Sequence, residues 1–241
     1  MKLYGQKAKK RKLGIICIDG NWHGRTMGAQ MMSGNKKQKK WIGYEDKNIH
    51  HIKFPYPWEL EKINPKDFLN KSLEKLKKKV DLKSDVCGFM LETFQGWGAI
   101  FYPKEFVKEI SKLCKKNNIL LTFDEMQAGF ARTGKKFGYE HYDVKPDLIC
   151  CGKGMGGGIA VSGVIGKKNI MDLPSVGEMS STNSANPLAC VAGMSVIDEI
   201  NNKKILKKVN ENGQYLKTGL EAIMKKNSMS ISYLMGEGMI Y

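Results

Sequence analysis

Apolar runs of strand length recur along the chain between stretches whose apolar residues repeat every three to four positions. The runs at 14–18, 86–91, 119–123, 148–151 and 160–165 predict strands. Between the second and third, Phe106, Val107, Ile110, Leu113 and Cys114 fall on one face of a helix whose other face carries lysines. An earlier helix is expected over 68–79, with Leu69, Leu73 and Leu76 inward. Asn186 followed by Pro187 has the form of an N-cap and first turn, starting a helix that runs to 200. Ile205, Leu206, Val209, Leu216, Leu220 and Ile223 then form the apolar stripe of a further helix, with Gly213 as its weak point. Residues 35–58 read as a long surface excursion. Strands alternating with helices define an α/β domain with a mainly parallel central sheet flanked by helices.

With 241 residues, 41% of them hydrophobic, the chain can bury one large core. Lysine and arginine exceed the carboxylates by 40 to 24, a formal charge of +16, which by itself would admit nucleic acid or an anionic surface as a partner. In the sequence, however, the lysines are scattered over helix faces (75–79 and 112–116, for example) with no aromatic residues interleaved. A solvated surface is the simpler reading, and no nucleic-acid partner is expected.

The six cysteines show no CxxC or Cys/His ligand spacing and read as small core hydrophobes in a reducing compartment, with no metal site. No segment approaches the roughly 20 apolar residues of a membrane span, so a cytoplasmic protein without membrane contact is expected.

Two strand ends carry the candidate chemistry. Leu120-Leu121-Thr122-Phe123 runs directly into Asp124 and Glu125, and ligands of an open α/β sheet bind beyond the carboxyl ends of its strands. An Asp in that position can equally cap the following turn. Some thirty residues later, Leu148-Ile149-Cys150-Cys151 delivers Lys153 into a loop dense in glycine, Gly152 to Gly158. Burial of such an amine would free its neutral, nucleophilic form. A phosphate-binding loop or a flexible turn are the plainer readings, although no GxxxxGK[ST] spacing occurs. A carboxylate and a lysine at neighbouring strand ends are what pyridoxal-phosphate chemistry requires.

Five phrases in order resemble the class III (ω-type) aminotransferases of pyridoxal-phosphate fold type I. They are Trp22-His23-Gly24-Arg25-Thr26, Glu92-Thr93-Phe94-Gln95-Gly96, Asp124-Glu125-Met126-Gln127 with Gly129 to Gly134, Gly152-Lys153-Gly154, and Thr182-Asn183-Ser184-Ala185-Asn186-Pro187. The resemblance implies a Schiff base to pyridoxal 5'-phosphate at Lys153 and a charge partner for the pyridine nitrogen at Asp124. It implies Trp22 and Met126 on the two ring faces, Gln127 near the ring hydroxyl, and Arg25 at a substrate carboxylate. Thr182 would reach the cofactor phosphate of the neighbouring subunit in a homodimer with shared sites. The four histidines are expected to be structural or solvent-facing, and Tyr139 and Tyr142 to be core or interface aromatics.

Departures from the family pattern are also informative. The family's glycine-serine phosphate cup and its C-terminal small domain have no counterpart here, so the chain is expected to be the middle of a longer enzyme. Residues 1–200 would be a partial cofactor domain, and 201–241 a helix leading into the small domain. Trp97 stands where many members carry a glutamate that pairs with a small-domain arginine, so it becomes a candidate substrate contact, able to stack on an arginine. Thr93 replaces a proline and Ala131 a glycine. Transfer of an amino group between an amino acid or amine and a 2-oxo acid is the reading that follows. A racemase, epimerase or mutase on the same fold, or a catalytically incomplete fragment using its charge, remain alternatives.

Overall fold

A computed structural model describes residues 1–8, 12–202 and 204–241; the basic stretch 9–11 and residue 203 lie outside the described residues. The first half comprises α1 (Lys2–Ala8), β1 (Gly14–Ile18), α2 (Met27–Met32), a 3-10 helix (Lys36–Ile42), β2 (Ile49–Ile52), α3 (Pro57–Leu60), α4 (Pro65–Lys77), α5 (Leu82–Asp85) and β3 (Val86–Glu92). A short hairpin, β4 (Phe94–Gln95) and β5 (Ile100–Phe101), leads into α6 (Lys104–Asn117), β6 (Leu120–Asp124), β7 (Leu148–Cys151) and β8 (Gly163–Gly166). The chain then continues through α7 (Lys168–Met171), α8 (Pro187–Asn201) and α9 (Lys204–Lys226).

The main sheet has the order β2-β1-β3-β6-β7-β8, parallel throughout except for the antiparallel β7–β8 pair. Every position of β1, β3 and β6 is buried, the mark of parallel strands covered on both faces. On one face Ile16, Phe89, Leu91, Leu121 and Phe123 pack with Phe68 and Leu73 of α4 and with Phe106 and Ile110 of α6. Ile15, Cys17, Cys87 and Met90 form a smaller cluster joined by Met1 and Met32. Local chemistry sets the helix ends. The Asn64 side chain accepts from the Asp67 N–H ahead of Pro65, and Asn186 accepts from the Ala189 N–H ahead of Pro187. Asn118 closes α6 in a left-handed conformation at φ 54°.

Three expectations need correction. The excursion at 35–58 contains β2, an edge strand whose Ile-His-His-Ile sequence has too few apolar residues to announce itself. The last strand begins at Gly163 rather than 160 and runs antiparallel. Gly213 is a close contact rather than a weak point: it is the buried residue of α9, and a Cβ there would lie 2.4 Å from the carbonyl oxygen of Gly238. Cys17, Cys87, Cys114 and Cys151 are buried as small hydrophobes should be, whereas Cys190 is exposed on α8. The same helix exposes Leu188, Val191, Met194 and Ile197, which at three-residue spacing wind across half of its circumference. No described helix is long and apolar enough to cross a membrane.

Gly213→Ala tests the α9 contact with a sign that propensity alone would reverse. In an open helix this change stabilises by about 1 kcal/mol. Here the new methyl meets a backbone carbonyl, so a loss of about 1–3 kcal/mol is expected, read as a lower denaturant midpoint.

Candidate active site

β3, β6 and β7 end at one level, with Glu92 opposite Asp124 and Asp124 opposite Cys150. Two carboxylates therefore stand side by side at the carboxyl edge of the sheet, where an α/β domain forms its crevice. Asp124, 5% exposed, is held from two directions. Its Oδ1 accepts the Met126 N–H at 3.0 Å, and its Oδ2 lies 2.8 Å from Nδ1 of His23, whose side chain is fully buried. The turn-capping role open to Asp124 is thus real, yet it engages only one oxygen.

Glu92 ties down the loop after β1. Its Oε2 accepts the N–H of Trp22 at 2.8 Å and of Gly96 at 3.3 Å, and burial pushes its carboxyl up to about 7. Glu125 is equally buried and is also raised to about 7 by desolvation, but it serves the neighbouring loop: it accepts from Thr93 Oγ1 (2.5 Å) and from the N–H groups of Gly138 and Tyr139 (both 2.7 Å). Tyr142 is a core aromatic whose hydroxyl donates to the Thr93 carbonyl.

Around this row the other candidates gather unevenly. Half-buried Trp22 meets Trp97 edge-on, with centroids 5.6 Å apart and planes at 83°. The guanidinium of Arg25 lies 4.7 Å from the centre of the Trp22 ring, a cation–π pair that the sequence did not announce. Trp97 itself stays 58% exposed. Gln127 Oε1 and Glu92 Oε1 both approach Gly96, at 2.8 and 2.9 Å from where its Cβ would be. A Cβ on Gly152 would lie 2.4 Å from Met126 Sδ, so a residue without a side chain lets the lysine-bearing loop close onto Met126.

Lys153 opens a 3-10 turn as the chain leaves β7, with φ at +45°, a conformation that costs a non-glycine residue roughly 1 kcal/mol or more. Contrary to expectation Lys153 is exposed among the described residues. It borders a cleft of about 1700 Å³ also lined by Ser180, Ser181, Asn183 and Ser184. Thr182, within the same exposed segment, does not line that cleft. Ala131, where the family pattern has glycine, sits buried at φ +70°.

Sequence reasoning missed His23 and Glu92. No spacing links His23 to Asp124 across 101 positions, and the available signal was only that it adjoins Trp22. The residues present fit pyridoxal phosphate at its ring end. Each Asp124 oxygen makes one hydrogen bond and keeps capacity for another acceptor contact, and the buried Nε2 of His23 has no partner among the described residues.

A mostly parallel sheet with a carboxylate and a lysine at adjoining strand ends defines a cofactor-binding α/β domain of the aminotransferase type. The chain belongs to the class III aminotransferases, whose family model matches residues 1–241. It is 35% identical over 238 residues to an acetylornithine aminotransferase of Caldanaerobacter subterraneus subsp. tengcongensis, covering 98% of this chain and 54% of that protein. An ornithine aminotransferase of Oceanobacillus iheyensis is 35% identical over 211 residues, covering 87% of this chain and 48% of the relative. Among solved structures, the taurine:2-oxoglutarate aminotransferase of Bifidobacterium kashiwanohense, in complex with PLP and glutamate, superposes with a TM-score of 0.84 at 26% identity, covering 98% of this chain and 55% of that one. The chain thus spans about half the length of the relatives it matches.

The raised Glu92 carboxyl makes a signed prediction. A carboxyl that binds its proton more tightly when folded favours folding below the unfolded carboxylate range, and that contribution is lost as pH rises through about 7. Glu92→Gln should therefore match the parent near pH ~5 and exceed it at pH ~8 by on the order of 1–2 kcal/mol in denaturant unfolding. A gap that is constant with pH would mean that Glu92 does not titrate in this window.

Proposed function

We propose that this chain forms the cofactor-binding part of a pyridoxal-phosphate-dependent transaminase that moves an amino group between an amino acid or amine and a 2-oxo acid. The observation that carries the reading is the buried Asp124 carboxylate, clamped by His23 at one strand end while the adjoining strand leads to Lys153. When bound, pyridoxal phosphate supplies an electron-accepting ring and an aldehyde that holds amines covalently. Asp124 would face the ring nitrogen, and His23, donating from Nδ1, would keep the carboxylate oriented. Trp22 and Met126 would flank the ring, with Gln127 at its hydroxyl edge. The exposed amine of Lys153 would tether the aldehyde and, once released, take up the proton from the substrate carbon that bears the amino group. Arg25 and Trp97 would meet the substrate.

Several features support a homodimer within this reading: the exposed apolar residues of α8, the exposed segment bearing Thr182, and the cleft beside Lys153 that these two border. The six unpaired cysteines suit a reducing cytoplasm. Racemase or mutase chemistry would use the same residues, but both relatives named above are aminotransferases.

Borohydride reduction of the chain incubated with pyridoxal phosphate, followed by peptide mapping, tests the tether. The label is expected on Lys153 at one per chain and should vanish in Lys153→Ala; stoichiometric labelling elsewhere with none on Lys153 refutes the assignment. In the active enzyme, Asp124→Asn should retain cofactor yet turn over at least ~100-fold more slowly, because a charge-stabilising partner is lost from a buried site. Turnover like the parent's would assign that role to another acid.

A further inference from the structure

The second large concavity of the molecule lies at the opposite edge of the sheet, against β2. It is a groove of about 1260 Å³ whose lining includes eight lysines and four carboxylates. The lysines come from four separate segments: Lys36, Lys39 and Lys40 from the 3-10 helix, Lys53 just past β2, Lys62 between α3 and α4, and Lys71, Lys75 and Lys79 at four-residue spacing along and beyond α4. That spacing stacks the last three on one side of the helix while Leu69, Leu73 and Leu76 fill the core. None of the eight forms an ion pair among the described residues, and one of the four carboxylates, Asp46, is taken up by Lys2 at 2.7 Å. Eight lysines against four carboxylates leave the groove with a net positive charge.

Two exposed aromatic residues line the same groove. Trp58 stacks on Tyr56, with centroids 4.6 Å apart and planes at 9°, and remains 51% exposed; Tyr44, from the opposite side of β2 in sequence, is 58% exposed. Contrary to the aromatic-free scatter expected of the lysines, residues 36–62 interleave them with rings, Trp41, Tyr44, Tyr56 and Trp58 standing among Lys36, Lys40, Lys47, Lys53 and Lys62, and the fold sets Tyr44 and Trp58 in one groove with the lysines of α4. Exposed rings among unpaired cations match the two components of single-stranded nucleic acid, bases that stack and phosphates that need point charges.

We propose that the β2 groove binds single-stranded nucleic acid, its phosphates along the lysines of α4 and the 3-10 helix and its bases against Trp58 and Tyr44. This activity is independent of the transaminase reading, since the groove includes none of the residues placed at the cofactor.

Fluorescence anisotropy of a labelled twelve-nucleotide oligothymidylate on the 241-residue chain tests it, with circular dichroism confirming that each variant is folded. Lys71→Glu with Lys75→Glu should weaken binding at least ~10-fold and flatten the dependence of log affinity on log salt by about 1.4, roughly 0.7 for each phosphate that is no longer neutralised. Trp58→Ala should weaken binding several-fold. Reversing Lys115 and Lys116 of α6 instead removes the same net charge from another face and should change affinity less than about twofold. Equal losses in the α6 control would show diffuse attraction to a chain of charge +16 and overturn the proposal. So would a Trp58→Ala variant that binds like the parent, or competition by polyglutamate as effective as that by unlabelled oligonucleotide, which would assign the groove to acidic polypeptides.

Discussion

Two buried carboxylates abreast are the constraint around which this domain is arranged. Parallel pairing sets Glu92 directly opposite Asp124, and neither can leave the sheet edge without breaking the register of β3 and β6. Like charges so placed repel, and burial penalises both, so the fold supplies donors. His23 and the Met126 N–H serve one, and the N–H groups of Trp22 and Gly96 the other. Those donors are not incidental, because three of the four lie on or beside the residues that would hold a cofactor ring. Satisfying the carboxylates and shaping the site are one act of folding.

This explains why some of the site was legible in sequence and some was not. Asp124 and Lys153 end continuous apolar runs, and a reader of periodicity finds both. Strands at 14–18 and 148–151 were legible to the residue because their flanks break sharply. β2 was not, since an edge strand needs only one good face and Ile49 and Ile52 are separated by two histidines. His23 and Glu92 act through partners 101 and 70 positions away, a relation that exists only once the sheet has formed. The exposure of Lys153 was illegible for a different reason: flanking glycines reveal that a backbone bends, not which way it then faces.

The two edges of the sheet differ in character. Beyond β8 the surface is apolar, with Val164 and Ile165 about half exposed near the bare apolar residues of α8. Beyond β2 it is cationic, with aromatic rings set among lysines. Apolar surface of that extent is seldom left to water in a soluble protein, whereas charged surface is. The first edge suits the homodimer contact proposed above, and the second tolerates solvent while remaining open to anions.

The left-handed backbone at Lys153 has a consequence for how such a chain changes over time. Glycine would occupy that position without the steric cost that a lysine incurs, and two glycines already flank it. Screening random variants for heat resistance alone would thus tend to discard the amine, and with it the tether proposed for the cofactor. A lysine kept at φ +45° is a residue retained against the preference of the fold. In the tethering role proposed for Lys153, thermostability and reactivity would pull in opposite directions at this single position.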